Sequence, residues 1–494
     1  MRKFLCVIVL VLLAIVGTVL FRAMRFTPSE QIYSPAPGLK LDETTLANHL
    51  GGALRIKTIS TQDPSQFDGA AFLAFHDYLA ATFPKVHERL KREVVNGYSL
   101  LYEWKGSDPS LKPIMLIAHQ DVVPVAPDSE ASWTHPGFSG EVADGFIWGR
   151  GALDDKSNLM GILESVEALL NEGFQPKRTV YLGFGYDEEV GGSQGAPKIV
   201  ELLKSRGVHV EFVIDEGNCI VKGIIPGVSK PIAVIGLGEK GYLSLELTVD
   251  GGGGHSAAPP KNTAIGVLAR AITRIEDHPF PSNLAYASDF FQCVGPEMPF
   301  TNRAVFANLW LTSPIVKAIF KGNPAMNAGI RTTAAVTICS GGVKENVLPS
   351  RASAVVNLRV MPGETAESAQ ARIAKIVNDG RVKISTLGRA DNPSRVSRTD
   401  SASYKTISKT ISETVSEPTI IAPFLVLGAS DSRHYEVIAD DVYRFAPFVN
   451  DTEDLKRFHN VNERIALSNY AGMVQFYARL IKNSDDMGSG AGSK

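Results

Sequence analysis

Apolar positions along this chain recur with several periods, and the changes of period divide it into segments. An uncharged, almost wholly apolar run from Phe4 to Phe21 comes first, with Arg2 and Lys3 before it and Arg22 and Arg25 after it. It is just long enough for a helix that spans a bilayer. Thr27 to Leu41 (TPSEQIYSPAPGLKL) carries three prolines and reads as a tether. From about Asp42 the pattern turns helical. Lys112 to Ala118 (KPIMLIA) is a short continuous apolar run, the signature of a strand buried on both faces. Lys156 to Asn171 (KSNLMGILESVEALLN) has helical spacing, with Gly173 as a stop. Arg178 to Gly185 (RTVYLGFG) and Glu211 to Ile214 (EFVI) read as further buried strands. This strand-helix-strand order predicts an α/β fold with a mostly parallel sheet covered by helices.

The period changes near Gly241. Tyr242 to Val249 (YLSLELTV) alternates, as a half-buried strand does. A helix over Thr263 to Glu276 follows, then an irregular stretch from about His278 to Arg331. Alternating strands at Thr332 to Cys339 and Ala352 to Val360, a helix at Thr365 to Asn378 and a strand at Val382 to Thr386 complete the set. That order is ferredoxin-like. The expected organisation is therefore an anchor or signal (1–26), a tether (27–41), a first catalytic segment (42–240), an inserted α+β lid or dimerisation domain (241–392), a second catalytic segment (393–483) and a flexible tail (484–494).

The chain has 494 residues, enough for several domains, and a net charge of −2. No basic cluster points to nucleic acid, so the partner is read as a small molecule. Cys6, Cys219, Cys293 and Cys339 show no CxxC spacing, which argues against both a disulfide framework and a thiolate metal site. A signal peptide competes with the anchor reading. Its apolar core would be shorter and end at a small-x-small site, of which Ala14-Ile15-Val16-Gly17 is a poor version. An uncleaved anchor is favoured. The following domain is expected outside the cytoplasm, or secreted if the segment is cleaved.

Acidic and histidine residues collect at the ends of the predicted strands, where ligands bind in open α/β sheets. His119-Gln120-Asp121 follows the first strand. Residues two apart in an extended segment share a face, so His119 can bind a metal while Asp121 orients its other ring nitrogen. Asp154-Asp155 precedes the helix at Lys156, where either aspartate could cap the helix or bridge two cations. Asp187-Glu188-Glu189 follows RTVYLGFG, and three consecutive acids there need solvent or cations. Asp215 follows EFVI, and His459 stands in Phe458-His459-Asn460-Val461-Asn462-Glu463. Nitrogen and oxygen ligands without cysteine suit zinc in a hydrolytic site, and this set is large enough for two metals about 3.5–4 Å apart.

The runs AHQDVVPV, WTHPGFSGEVADGFIWGRGALDDK, GYDEEVGG, VIDEG, GGGGHSAAPP and RFHNVNERI, in this order from about residue 42 to 482, resemble the aminoacylase/carboxypeptidase S/glutamate carboxypeptidase family of di-zinc metallopeptidases. ASDSRHY and the N-terminal anchor place the resemblance nearest the branch of N-fatty-acyl-amino-acid synthase/hydrolases and carboxypeptidase S. It implies a phosphorylase/hydrolase-like catalytic domain with a ferredoxin-like insert, and two Zn2+ per subunit, with Co2+ or Mn2+ as substitutes. By motif, His119 and His459 each bind one zinc, Asp154 bridges them, and Glu189 and Asp215 complete the two spheres. Glu188 is the general base and Asp121 the partner of His119. Asp155 is left to helix capping. His255, in Gly254-His255-Ser256, matches the histidine that relatives place against the oxyanion, often across a dimer.

The substrate's carboxylate needs a cation, with Arg433 as first candidate and Arg359 and Arg331 as second choices. The apolar stretch 278–331 suits an acyl-binding wall, a dimer interface or packing on its own domain. The leading reading is a zinc amidohydrolase that cleaves, and in principle forms, the amide of N-acyl and especially N-fatty-acyl amino acids. The alternatives are a carboxypeptidase or dipeptidase acting on short peptides, and an inactive binding protein on the same fold.

Overall fold

The computed structural model of the protein describes residues 1–28 and 33–487. The middle of the tether and the tail beyond 487 lie outside the described residues. An eight-stranded mixed sheet forms the larger body. Its strands run in the spatial order Lys91–Val95, Ser99–Trp104, Val180–Gly185, Ile114–His119, Val210–Val221, Ala439–Asn450, Ile232–Glu239 and Ile420–Val426. The four strands from Val180–Gly185 to Ala439–Asn450 are mutually parallel. Every residue of Ile114–His119 and Val180–Gly185 is buried, because helices cover both faces. Helices Lys156–Asn171 and Leu467–Ser484 pack on one face in the main core. Helix Ala196–Ser205 packs Ile199, Val200 and Leu203 on the other, against Met115, Ile117 and Val213.

The helix expected at Lys156 to Asn171 spans those residues. The strand expected at Glu211 to Ile214 is longer than its apolar run suggests. It continues through Asp215 and Glu216 to Val221, because Ala439–Asn450 pairs with it along nearly its whole length.

The inserted segment forms a four-stranded antiparallel sheet in the order Thr333–Gly341, Arg351–Val360, Gly241–Asp250, Val382–Asp391. Helices Ala264–Asp277 and Ala366–Val377 cover one face, and both are capped by a threonine, Thr263 and Thr365. This is the ferredoxin-like arrangement that the alternating pattern predicts.

The stretch from His278 to Arg331 is not irregular. It folds into helices Ala285–Val294, Phe300–Phe306, Leu309–Lys321 and Pro324–Ala328. Pro296, Pro299 and Pro324 separate them and Pro314 interrupts one, so the apolar spacing is broken into short lengths, and the regular run Leu311, Ile315 and Ile319 lies on an exposed face. These helices leave the inserted sheet and pack on the edge of the large one: Phe290 meets Phe424 at 5.3 Å, and Val294 and Met298 join Ile232, Ile420 and Ala422. Buried Lys240 holds the far end, donating to Ala328 O and Arg331 O at 2.9 and 2.8 Å.

The tether is laid down rather than free. Ser34 and Ala36 N–H donate to Ser412 O and Glu413 O, and Leu39 exchanges two hydrogen bonds with the Gln475 amide. All four cysteines are unpaired. Helix Arg2–Arg25 is long and apolar enough to cross a membrane, an 18-residue stretch of it having a mean hydropathy of 3.2.

Candidate metal centre

Two strand residues, His119 and Glu216, and two loop residues, Glu189 and His459, converge on Asp154. His119, the last residue of its strand, places Nε2 3.0 Å from Asp154 Oδ1 and 3.4 Å from Glu216 Oε1. His459 places Nε2 3.0 Å from Asp154 Oδ2 and 3.3 Å from Glu189 Oε2. Each trio, His119/Asp154/Glu216 and Asp154/Glu189/His459, brings one ligand atom per residue within 4.8 Å of the others. Asp154 belongs to both and offers a different oxygen to each.

The structure sets Glu216 in the first trio, where the sequence pointed to Asp215. The reason is a break in register: Asp215 is still paired with Arg444, whereas Glu216 falls where the pairing jumps to Asn218 with Phe445, and its side chain turns to His119. Asp215 turns away from His119 and accepts hydrogen bonds from Ser432 N–H at 2.9 Å and from the Glu216 N–H. It thereby holds the loop that carries Arg433. Asp155 also departs from its expected role. It occupies the N-cap position of helix Lys156–Asn171 without capping it; its carboxylate accepts from His119 N–H and from the Asn158 amide.

Asp121 does two jobs. Its carboxylate and carbonyl lie 3.3 and 2.9 Å from His119 Nδ1, and its two oxygens accept the backbone N–H groups of Glu188 and Glu189. One residue thus fixes the imidazole and the acidic turn Glu188–Val190 together. Glu463, in a motif noted above but given no role there, holds the opposite wall. Fully buried, it accepts from the N–H groups of Gly151, Leu153 and Asp154 and pairs with Arg150.

The electrostatics are those of a cage built for cations. Burial, then repulsion by Asp154, pushes Glu216 up to about 8. Burial raises Glu188 well above the carboxylate range, with Glu216, Asp431 and Glu189 adding to it. Burial alone would lower His119, yet its bonds to Asp121, Asp154 and Glu216 raise it well above the imidazole range. Bonds to Asp154 and Glu189 raise His459 to about 10. Glu189 Oε1 is buried with no hydrogen-bond partner among the described residues. Carboxylates packed this closely repel one another unless positive charge sits between them. Two imidazoles and two glutamates around a shared aspartate fit a pair of divalent cations.

Beyond the cage, Arg433 donates to Ser430 O at 2.9 Å and Gly191 O at 3.1 Å, beside the Glu188–Glu189 turn. Buried Glu239, paired with Arg444, holds Ser430 and Ser432 from behind. Arg359 lies over the Tyr242 ring and is lowered by burial and by the charges of Arg389 and Arg433. Arg389, not singled out from sequence, also donates to Gly191 O. These three arginines form a cationic patch next to the cage. Arg331 is set apart from them, buried and bonded to Phe280 O. His255 is exposed on the inserted domain, its Nδ1 accepting from Ala257 N–H. Among the described residues, no hydrogen bond or ion pair joins it to the cage.

Comparison with known proteins gives a consistent picture. The family described as "Peptidase family M20/M25/M40" matches residues 115–483. The chain is 40% identical to the human N-fatty-acyl-amino acid synthase/hydrolase PM20D1 over 457 residues, covering 91% of this chain and 90% of that protein. It is also 40% identical to a probable carboxypeptidase S-like 2 of Dictyostelium discoideum, with 96% and 93% covered. Among solved structures, an M20 family metallo-carboxypeptidase from Sulfolobus solfataricus superposes with a TM-score of 0.65 at 20% identity, over 90% of this chain and 100% of that one. A dinuclear metal-binding M20 peptidase from Bacillus subtilis does so with a TM-score of 0.55 at 15% identity, over 89% and 97%.

Proposed function

The chain belongs to the M20/M25/M40 peptidases and is a metallohydrolase, and from that premise we propose that it is a di-zinc amidohydrolase of N-fatty-acyl amino acids. The observation that carries the reading is Asp154, whose two oxygens face two separate ligand trios. When bound, the two cations supply Lewis acidity and a water acidic enough to ionise near neutral pH. His119 and Glu216 hold one side of that pair, His459 and Glu189 the other. Glu188 accepts the proton of the attacking water and hands it to the departing amide nitrogen. The patch of Arg433, Arg359 and Arg389 takes the free carboxylate of the amino-acid half. His255 stands too isolated on its own domain to serve the same chain's cage as drawn. It serves the oxyanion of a second copy, or of its own chain after closure. The inserted sheet leaves Thr333–Gly341 as an edge, with Ile338 exposed, which suits pairing in a homodimer. Helix Arg2–Arg25 anchors the enzyme in a membrane, with the catalytic part outside the cytoplasm.

The fatty-acyl assignment rests on relatives of that name at about 40% identity across some nine-tenths of both chains. Carboxypeptidase S-like relatives at similar identity favour short peptides as the second reading. Amino-acid release from N-oleoyl-phenylalanine, N-acetyl-phenylalanine and a blocked dipeptide, offered in equal amounts to the zinc-loaded chain, separates the two. The expected result is preference for the oleoyl compound; preference for the dipeptide overturns the fatty-acyl reading and leaves the metal chemistry standing.

A further inference from the structure

The helices between residues 285 and 328 contribute nothing to the reaction above, yet they carry an unusual outer face. Helix Leu309–Lys321 exposes Leu311, Ile315 and Ile319, spaced by four and so aligned in one stripe; Trp310, at the start of the helix and about 100° round from Leu311, is exposed as well, and the four exposures run from 44% to 61%. Phe300 adds a further exposed ring on the preceding helix. Val316, on the other side of the helix, is buried. A contiguous apolar stripe of this kind marks an interaction surface. Its charges are one-sided as well. From Met298 to Ala328 the chain has Arg303, Lys317 and Lys321 and no Asp or Glu. Exposed tryptophan and aliphatic residues flanked by cations are the composition of an element lying in a bilayer surface.

What covers the stripe is indicated by its neighbour. The C-terminal turns of helix Arg2–Arg25 are seated where the two excursion helices meet. Arg22 Nε donates to Ala307 O at 3.1 Å, and the Asn308 amide donates to Val19 O at 3.1 Å. Ala23 is completely buried, and the Phe26 ring packs where a Cβ on Gly295 would stand. The rest of that apolar helix is exposed. The point where it leaves the bilayer is therefore fixed within a residue or two of Leu309.

We propose that the face formed by Phe300, Trp310, Leu311, Ile315 and Ile319 rests in the membrane surface beside the anchor, with Arg303, Lys317 and Lys321 toward anionic headgroups. The proposal rests on the anchor reading of helix Arg2–Arg25. It makes the anchor and the excursion one two-part lipid attachment. Because Phe290 of the excursion packs on Phe424 of the large sheet, the attachment fixes how the catalytic body stands on the bilayer.

The chain provides its own reporter. Trp104, Trp133 and Trp148 are buried, and Trp310 is the exposed fourth tryptophan. The full chain is incorporated in nanodiscs of phosphatidylcholine and phosphatidylserine, with plain or brominated acyl chains, and tryptophan emission is read. The expected result is a Trp310 contribution roughly twofold lower in the brominated discs, as for a side chain at the headgroup–acyl boundary. The W310F chain should show no bromine-dependent change, and an I315D/I319D chain should stay in the disc but lose the quenching. A chain that co-elutes with the disc while Trp310 is equally bright in both lipids overturns the docking face and leaves the anchor. Crosslinking between copies of an Ile315→Cys chain would then name a second copy as the occupant. A chain that elutes free of the discs overturns both.

Discussion

His119 and His459 present the same ring nitrogen at the same 3.0 Å to opposite oxygens of Asp154, in unlike surroundings. His119 ends a strand in the middle of the sheet, is 1% exposed, and has Asp121 behind its second nitrogen. Its companion Glu216 is part of a twelve-residue strand. His459 lies in a loop, in the left-handed region with φ 55°, and its side chain is 52% exposed. Its companion Glu189 sits in a single short turn. One half of the cage is preorganised by the sheet; the other is held by loops whose order depends on Asp121 and Glu463. A ligand set held in place before the metal arrives gives up less freedom on binding. The strand-held half should therefore keep its ion longer.

The largest test removes the residue that the halves share. Asp154→Ala should abolish stoichiometric binding of both ions and lower kcat/KM by about 10⁴ or more, since metal-activated water and its orientation are lost together. Retention of one tightly held ion would show that a half is complete without the bridge. Next comes Glu188→Gln, expected to keep both ions by elemental analysis while kcat falls by about 10²–10⁴. Parallel loss of metal would make Glu188 a ligand instead of a base. The comparison itself is sharpened by stepwise chelation. The first ion should leave His459→Ala and wild-type chains with one equivalent still bound, whereas His119→Ala should lose the slowly exchanging ion. An Asp121→Asn substitution should weaken metal affinity about 10–100-fold, the usual cost of removing a ligand's hydrogen-bonded support. Smallest is Asp215→Asn, expected to leave metal content unchanged and to raise KM a few-fold through the Arg433 loop, about 1 kcal/mol for one altered buried hydrogen bond. Loss of an ion from that variant would return Asp215 to the ligand set.

The same contrast explains what the sequence disclosed. His119 and Asp121 were legible because they follow an apolar run buried on both faces, and the chain announces where such a run stops; Asp154 was legible as an acid directly before a helix. The strand Val210–Val221 hid its true end: Asp215 and Glu216 look like a polar terminus, although pairing with Ala439–Asn450 reaches Asp215 and resumes at Asn218 beyond a register shift. That partner arrives more than 200 residues later in sequence, so no local pattern shows it, and the choice between adjacent acids turned on it. Glu463 and Arg389 act through backbone groups of distant loops, a role with no local signature. The ferredoxin-like sheet was readable from alternation. The helices between 285 and 328 were not, because prolines divide them into short lengths and the one regular stripe, Leu311, Ile315 and Ile319, faces outward rather than into a core.

The order of the strands also sets a timetable for biosynthesis. The strand that lies at the heart of the large sheet, Ala439–Asn450, is wedged between two made far earlier, and His459 follows it. About 340 residues separate His119 from His459, on the order of half a minute of ribosome time. Until then the nascent enzyme holds four of its five metal-facing side chains without the fifth, and a sheet missing a central member. Assembly of the cage thereby waits until the strand Ala439–Asn450 and the loop behind it have been made and threaded home.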